Sequence, residues 1–95
     1  MNKPNILILM TDQQRADCLG CAGHPVVKTP NMDRIVAEGT NFRQASTVSP
    51  ICMPARASFV NGLYPHNHGM WNNRGKMPAD DETFFQLLQK AGYST

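Results

Sequence analysis

The sequence predicts an α/β fold that opens on a buried strand and continues through helices. Residues 5–10 form a continuous apolar run rich in branched side chains, which is typical of a strand buried on both faces. Later segments repeat apolar residues at helical spacing, and strands followed by helices favour a sheet covered by helices. Because this chain of 95 residues ends at Tyr93-Ser94-Thr95, where another strand is expected, we interpret residues 1–95 as the N-terminal part of a larger domain.

The composition is that of an ordinary soluble globular protein, with 41% hydrophobic and 17% charged residues. The net charge is only +2, and the nine Lys and Arg are scattered, which argues against a nucleic-acid partner. No apolar stretch approaches the roughly 20 residues that span a bilayer, and Ile6–Met10 is too short for a signal-peptide core. An odd number of cysteines, three, does not suggest a disulfide framework. We therefore expect a cytoplasmic location and no membrane partner.

Polar residues follow the first predicted strand, Asn5–Met10, without a gap. Ligands of open α/β sheets bind just past the carboxyl ends of the strands. Asp12 and Gln13 offer a carboxylate and an amide oxygen at this point, and these are ligands suited to Ca²⁺ or Mg²⁺. The alternative is that Asp12 only caps a turn.

Helical spacing of apolar residues predicts three helices. Thr29 is a candidate N-cap, Pro30 suits the first helical position, and Gly39 can end the first helix. The other predicted elements are helices at Pro54–Val60 and Glu82–Ala91, the latter capped by Gly92, a short strand at Phe42–Val48, and loops at 19–28 and 64–80.

The segment Pro50–Gly62 carries the most specific chemical signal. It places the Cys52 thiol at the start of a helix, where unpaired N–H groups and a partial positive charge favour a thiolate or another oxyanion. Arg56, one turn later, adds a fixed cation that can pair with an anion. A nucleophile beside an anion-binding helix end suits attack on a sulfate or phosphate ester.

This segment resembles the signature of the sulfatases, whose core is Cys-x-Pro-x-Arg. The matching residues are Cys52, Pro54, Arg56 and Gly62, whereas Met53 and Asn61 depart from the usual residues of the signature. The resemblance implies an alkaline-phosphatase-like fold with a mostly parallel central sheet. It also implies that a separate maturation enzyme converts Cys52 to formylglycine, whose hydrated aldehyde is the nucleophile.

The resemblance extends over essentially the whole chain. Sulfatases carry paired ligands of a divalent metal after an N-terminal strand of this kind, and Asp12 and Gln13 fall on that position. The implied metal is Ca²⁺, with Mg²⁺ or Mn²⁺ as alternatives; the group derived from Cys52 is a further ligand, and two more lie downstream in the family. Residues 91–95 resemble the start of a second sulfatase signature. The resemblance therefore implies that residues 1–95 are the N-terminal part of a sulfatase catalytic domain, truncated within that signature.

The resemblance also assigns residues that would contact the substrate. Arg56 would hold the formylglycine and the anionic group of the substrate. Asn73 lies where phosphonate monoester hydrolases place an asparagine that contacts substrate, although Asn72 is an adjacent alternative. We interpret His66 and His68 as loop or packing residues.

The predicted function is hydrolysis of a small-molecule sulfate ester by a protein that could be oligomeric. Phosphonate monoester hydrolase or phosphodiesterase activity is the alternative within the superfamily, since Thr11–Asp17 and Pro54–Ser58 resemble those enzymes as well. A non-catalytic truncated fragment is a second alternative, and we expect the isolated 95 residues to be inactive. A small zinc module built on Cys18, Cys21 and His24 is a remote one.

Overall fold

A computed structural model describes residues 3–95, which form two compact units. The first unit ends at Arg43, and the second spans Gln44–Thr95. All regular elements within the described residues are helical. None of those helices has the length and apolar content needed to cross a membrane.

The first unit contains a 3-10 turn at Gly20–Ala22 and one helix, α1, at Pro30–Glu38. The helix confirms the prediction, since Thr29 is its N-cap and Gly39 its C-cap. The 3-10 turn lies within residues predicted to be loop.

Side-chain hydrogen bonds join the 3-10 turn to α1. The Thr29 hydroxyl accepts the N–H of Gly20 at 2.8 Å and donates to Oδ1 of Asp33 at 2.8 Å, while Asp33 also accepts the N–H of Cys21 at 2.9 Å. The Thr29 hydroxyl, followed by the Cys21 N–H, holds the pKa of the Asp33 carboxyl below its ordinary value. A Cβ at Gly20 would lie 2.4 Å from Oδ2 of Asp33, so a larger residue there would displace this carboxylate.

The second unit contains three helices. They are α2 at Cys52–Asn61, α3 at Pro65–His68 and α4 at Phe84–Lys90. The second predicted helix is confirmed, but it begins two residues earlier, at Cys52 instead of Pro54. The third is also confirmed and begins two residues later than Glu82. Helix α3 is a single turn within the predicted loop at 64–80.

A small core lies beneath the helix that begins with Cys52. Its buried residues are Pro54, Ala57, Pro65, His68 and Met70. Met70 is fully enclosed, with only 1% of its surface exposed. The rings of Phe59 and Phe84 meet edge to face with centroids 5.6 Å apart, which connects α2 to α4.

The predicted strands at Asn5–Met10 and Phe42–Val48 are not formed within the described residues. Leu7 is 82% exposed and Ile8, on the opposite face, is 46% exposed, so both faces of the first segment are exposed. A strand is stabilised by hydrogen bonds to a neighbouring strand, and residues 3–95 supply no such neighbour. The sheet of the predicted α/β fold is therefore not seen in this part of the chain.

Candidate active site at the start of helix α2

Cys52 is the first residue of α2, and its side chain is half-buried. The preceding residue, Ile51, is the N-cap in an extended conformation and has no polar side chain with which to cap the helix. Its carbonyl accepts the N–H of Ala55 at 3.0 Å, which closes the first turn. The thiol therefore lies at the positive end of the helix dipole, as the sequence predicted.

An asparagine from a distant loop caps this end of the helix. The N–H of Met53 donates to Oδ1 of Asn73 at 3.0 Å, across 20 residues of sequence. Asn72 instead accepts the N–H of Arg74 at 2.8 Å and so closes a local turn. Of the two candidate asparagines, Asn73 is the one that contacts the helix of Cys52.

Arg56 lies four residues after Cys52 on α2, and its side chain is exposed. Side chains four residues apart on a helix share one face. The guanidinium and the Cys52 side chain can therefore act on one anionic group. Pro54 lies between them in the first turn of α2, where its missing N–H costs no hydrogen bond.

A buried histidine contacts α2 through a hydrogen bond. His68 is only 2% exposed, and its Nδ1 accepts the N–H of Met70 at 3.1 Å. Its Nε2 lies 2.9 Å from Oγ of Ser58, on α2. Because Nδ1 is an acceptor, Nε2 carries the proton of the neutral ring and donates it to the hydroxyl. His68 is thus a packing residue, in agreement with the interpretation of the sequence.

The far end of α2 is held by Gly62 and Asn61. Gly62 has a φ of 71° and donates its N–H to the carbonyl of Ser58 at 2.8 Å. Asn61 accepts the N–H of Leu63 at 2.9 Å and donates through Nδ2 to Oδ2 of Asp81 at 2.8 Å. Sequence analysis missed the contacts of Ser58 and Asn61, since their partners are ten and twenty residues away.

Asp12 and Gln13, in the first unit, are the candidate metal ligands. Both side chains are exposed, and Gln13 has a φ of 52°, in the left-handed region that side chains other than glycine seldom adopt. Carboxylate and amide oxygens fit a hard divalent cation, which takes six or more oxygen ligands when it is Ca²⁺. No cluster of three or more His, Cys, Asp and Glu suited to a metal occurs in residues 3–95. The two residues would therefore supply only part of a coordination sphere.

The residues of the zinc alternative have other partners. Nδ1 of His24 accepts the N–H groups of residues 26 and 27, at 3.2 and 2.9 Å. Loss of solvent, followed by a hydrogen bond to Asp33, raises the pKa of the Cys21 thiol. A zinc ligand must be a thiolate, so a raised pKa opposes metal binding at Cys21. Cys18 and Cys21 are both free.

Comparison with known proteins assigns the family. The family model for Sulfatase matches residues 4–95. The chain is 42% identical over 93 residues to an ulvan-active sulfatase of Formosa agariphila and 39% identical over 93 residues to an N-acetylglucosamine-6-O-sulfatase of Bacteroides thetaiotaomicron. It is 40% identical over 94 residues to an arylsulfatase of Clostridium perfringens. The chain therefore belongs to the Sulfatase family, as its resemblance predicted, and the family implies the alkaline-phosphatase-like fold.

The chain matches only part of each relative. The three alignments cover 98% of this chain but 18%, 17% and 20% of the respective relatives. The chain thus spans about a fifth of the length of the curated relatives. No solved structure matches it.

Proposed function

We propose that the protein hydrolyses a small-molecule sulfate ester with a nucleophile derived from Cys52. The observation that carries this proposal is the position of Cys52 as the first residue of α2, within the Cys-x-Pro-x-Arg pattern. Membership of the Sulfatase family and the sulfatase names of the relatives support it. The activity requires a maturation enzyme that converts Cys52 to formylglycine, which supplies a hydrated aldehyde as the oxygen nucleophile.

The residues of α2 provide the electrostatic environment for an anionic ester. The positive end of the helix dipole lies where charge develops on the transferred group, and it stabilises that charge. Arg56, on the same face as Cys52, pairs with the anion. Because Oδ1 of Asn73 accepts the Met53 N–H, the predicted contact of Asn73 with a substrate oxygen falls to its donor group, Nδ2.

Asp12 and Gln13 would hold the divalent cation, for which Ca²⁺ is our first choice and Mg²⁺ or Mn²⁺ are alternatives. When bound, the cation supplies positive charge that neutralises the oxygens of the ester. In the proposed fold, residues 5–10 are a strand of a mostly parallel central sheet, and the metal ligands follow its carboxyl end. We propose a cytoplasmic location for the protein.

A phosphonate monoester or phosphate diester is the second candidate substrate. The position of Asn73 at the start of α2 favours it, since hydrolases of the phosphonate branch carry a substrate-contacting asparagine there. Rates measured side by side on 4-nitrophenyl sulfate and 4-nitrophenyl phenylphosphonate distinguish the two. Faster turnover of the sulfate supports the first proposal, and faster turnover of the phosphonate supports the second.

The decisive test replaces the proposed nucleophile. We expect Cys52→Ala to lower kcat on an aryl sulfate by about 1,000-fold or more, because no nucleophile remains. Cys21→Ala, at an exposed free cysteine of the first unit, is the matched control and should keep full activity. Peptide mass spectrometry of the wild type should find an aldehyde in place of the Cys52 thiol. Full activity of Cys52→Ala would show that the mechanism is wrong.

A further inference from the structure

The cap on α2 acts on the peptide group next to the proposed nucleophile. The N–H of Met53 belongs to the peptide bond that joins Cys52 to Met53, and it donates to Oδ1 of Asn73 at 3.0 Å. The orientation of that peptide plane sets ψ of Cys52. The same torsion fixes the orientation of this peptide plane relative to the Cα–Cβ bond of Cys52, which carries the nucleophile.

The start of α2 has few other ways to fix this peptide. Ile51, its N-cap, makes no side-chain hydrogen bond to the helix, and Pro54 has no N–H. The missing local cap is replaced by Asn73, which comes from the segment between α3 and α4.

The segment that carries Asn73 is itself anchored on both sides. Before it, Met70 is 1% exposed and donates its N–H to the buried ring of His68 at 3.1 Å. Around it, Asn72 accepts the N–H of Arg74 at 2.8 Å and so closes a turn with Asn73 at its centre. A side chain held in this way can impose an orientation on the helix start.

We propose that Asn73 is a positioning residue, which aligns the side chain of residue 52 for attack by holding the Cys52–Met53 peptide through Oδ1. The proposal rests on the proposed function of Cys52. It differs from the substrate contact predicted for Asn73, because positioning needs the acceptor Oδ1 whereas a contact with an anion needs the donor Nδ2. The two roles are therefore separable by chemistry.

Asn73→Asp separates them, since aspartate keeps an acceptor oxygen and loses the donor. Asn73→Ala removes both, and Asn67→Ala, at an exposed asparagine of α3, is the control. Two kinds of measurement are needed, both on the full-length protein that the gene encodes. The first is kcat and KM on an aryl sulfate, and the second is the hydrogen-exchange rate of the Met53 amide. Without maturation, the alkylation rate of the Cys52 thiol by iodoacetamide provides a readout that does not need turnover.

We expect Asn73→Ala to lower kcat by about 10- to 100-fold with a change in KM below about threefold, because a misaligned nucleophile slows the chemical step. Exchange of the Met53 amide should be about tenfold faster, and the alkylation rate of Cys52 should change. Asn73→Asp should restore the exchange rate, the alkylation rate and most of kcat to their wild-type values. Its KM should be higher than that of the wild type, because the variant adds a negative charge near the anionic substrate. Asn67→Ala should match the wild type in all four measurements.

Two results would overturn the positioning role. One is an unchanged Met53 exchange rate in Asn73→Ala. If the alanine variant does not fold as the wild type does, the corresponding result is faster Met53 exchange in a folded Asn73→Asp variant, which keeps the acceptor. The other is an aspartate variant that protects the Met53 amide and is as slow in kcat as the alanine variant, which would assign Asn73 to substrate contact alone. If the wild type hydrolyses no sulfate ester, the proposed function fails separately, and the exchange and alkylation rates still decide whether Asn73 positions residue 52.

Discussion

His68 shows how one buried polar residue can organise the second unit. Both ring nitrogens are in use, one accepting the Met70 N–H and the other donating to Ser58. This pattern permits a single neutral tautomer and satisfies both ring nitrogens. Among the described residues, no buried side-chain polar atom lacks a partner. The ring therefore joins α2, α3 and the segment leading to Asn73 at one point.

We predict that His68→Ala lowers the free energy of unfolding by about 2–4 kcal/mol. The substitution opens a cavity and leaves the Met70 N–H and the Ser58 hydroxyl without their partner. Urea denaturation followed by circular dichroism measures the change. His66→Ala is the control because His66 is exposed and only stacks on Tyr64, so its effect should stay within about 0.5 kcal/mol. Equal effects of the two substitutions would contradict the role given to His68.

At the scale of elements, the sequence predicted the helices whose end signals are local. Pro30 and Gly39 bound α1 as expected. Gly92, with a φ of 83°, donates its N–H to the Gln89 carbonyl at 2.8 Å, and Tyr93 donates to Leu88 at 3.0 Å, which together end α4. Helix α4 begins at Phe84 and not at Glu82 because Thr83 and Gln86 form a capping box, which the spacing of apolar residues does not indicate but the pattern Thr-x-x-Gln does. Helix α3 is a single turn and has too little periodicity to be detected.

The capping box gives a prediction for α4. Thr83→Ala should lower the free energy of unfolding by about 1 kcal/mol, because the N–H of Gln86 loses the hydroxyl that accepts it. Thr83→Ser keeps the hydroxyl and should remain within a few tenths of a kcal/mol of the wild type. Thermal denaturation of the three proteins side by side checks this. A serine variant as unstable as the alanine variant would show that packing of the threonine methyl, not the cap, is responsible.

At the scale of the molecule, local sequence predicts the helix that begins near Cys52 better than it predicts the sheet. Cys52 and Arg56 lie in one helix, so their spacing alone fixes a shared face. The contact of Asn73 with Met53 joins residues 20 apart, and only the resemblance to a family indicated that Asn73 belongs near Cys52. A sheet depends on pairing between distant segments, and the apolar run at 5–10 cannot specify its own neighbours.

Metal binding should appear as a stability effect on the whole protein. A ligand that binds only the folded state raises its stability by mass action, so added Ca²⁺ should raise the Tm of the wild type. We predict a smaller rise, and less bound metal by elemental analysis, for Asp12→Ala. Asp17→Ala is the control, since Asp17 is an exposed carboxylate that pairs with Arg15 at 2.5 Å. Equal Ca²⁺ responses of all three proteins would remove Asp12 from the metal ligands.

The exposed segment at 5–10 has a consequence for the handling of this protein. Leu7 and Leu9 present apolar side chains to water, and the run carries no charge or proline from Asn5 to Met10. A short uncharged segment with a high tendency to form strands is a template for cross-β stacking between copies. Burial of this segment within one molecule therefore competes with pairing of the same segment between molecules. The balance of the two decides whether the protein stays dispersed at high concentration.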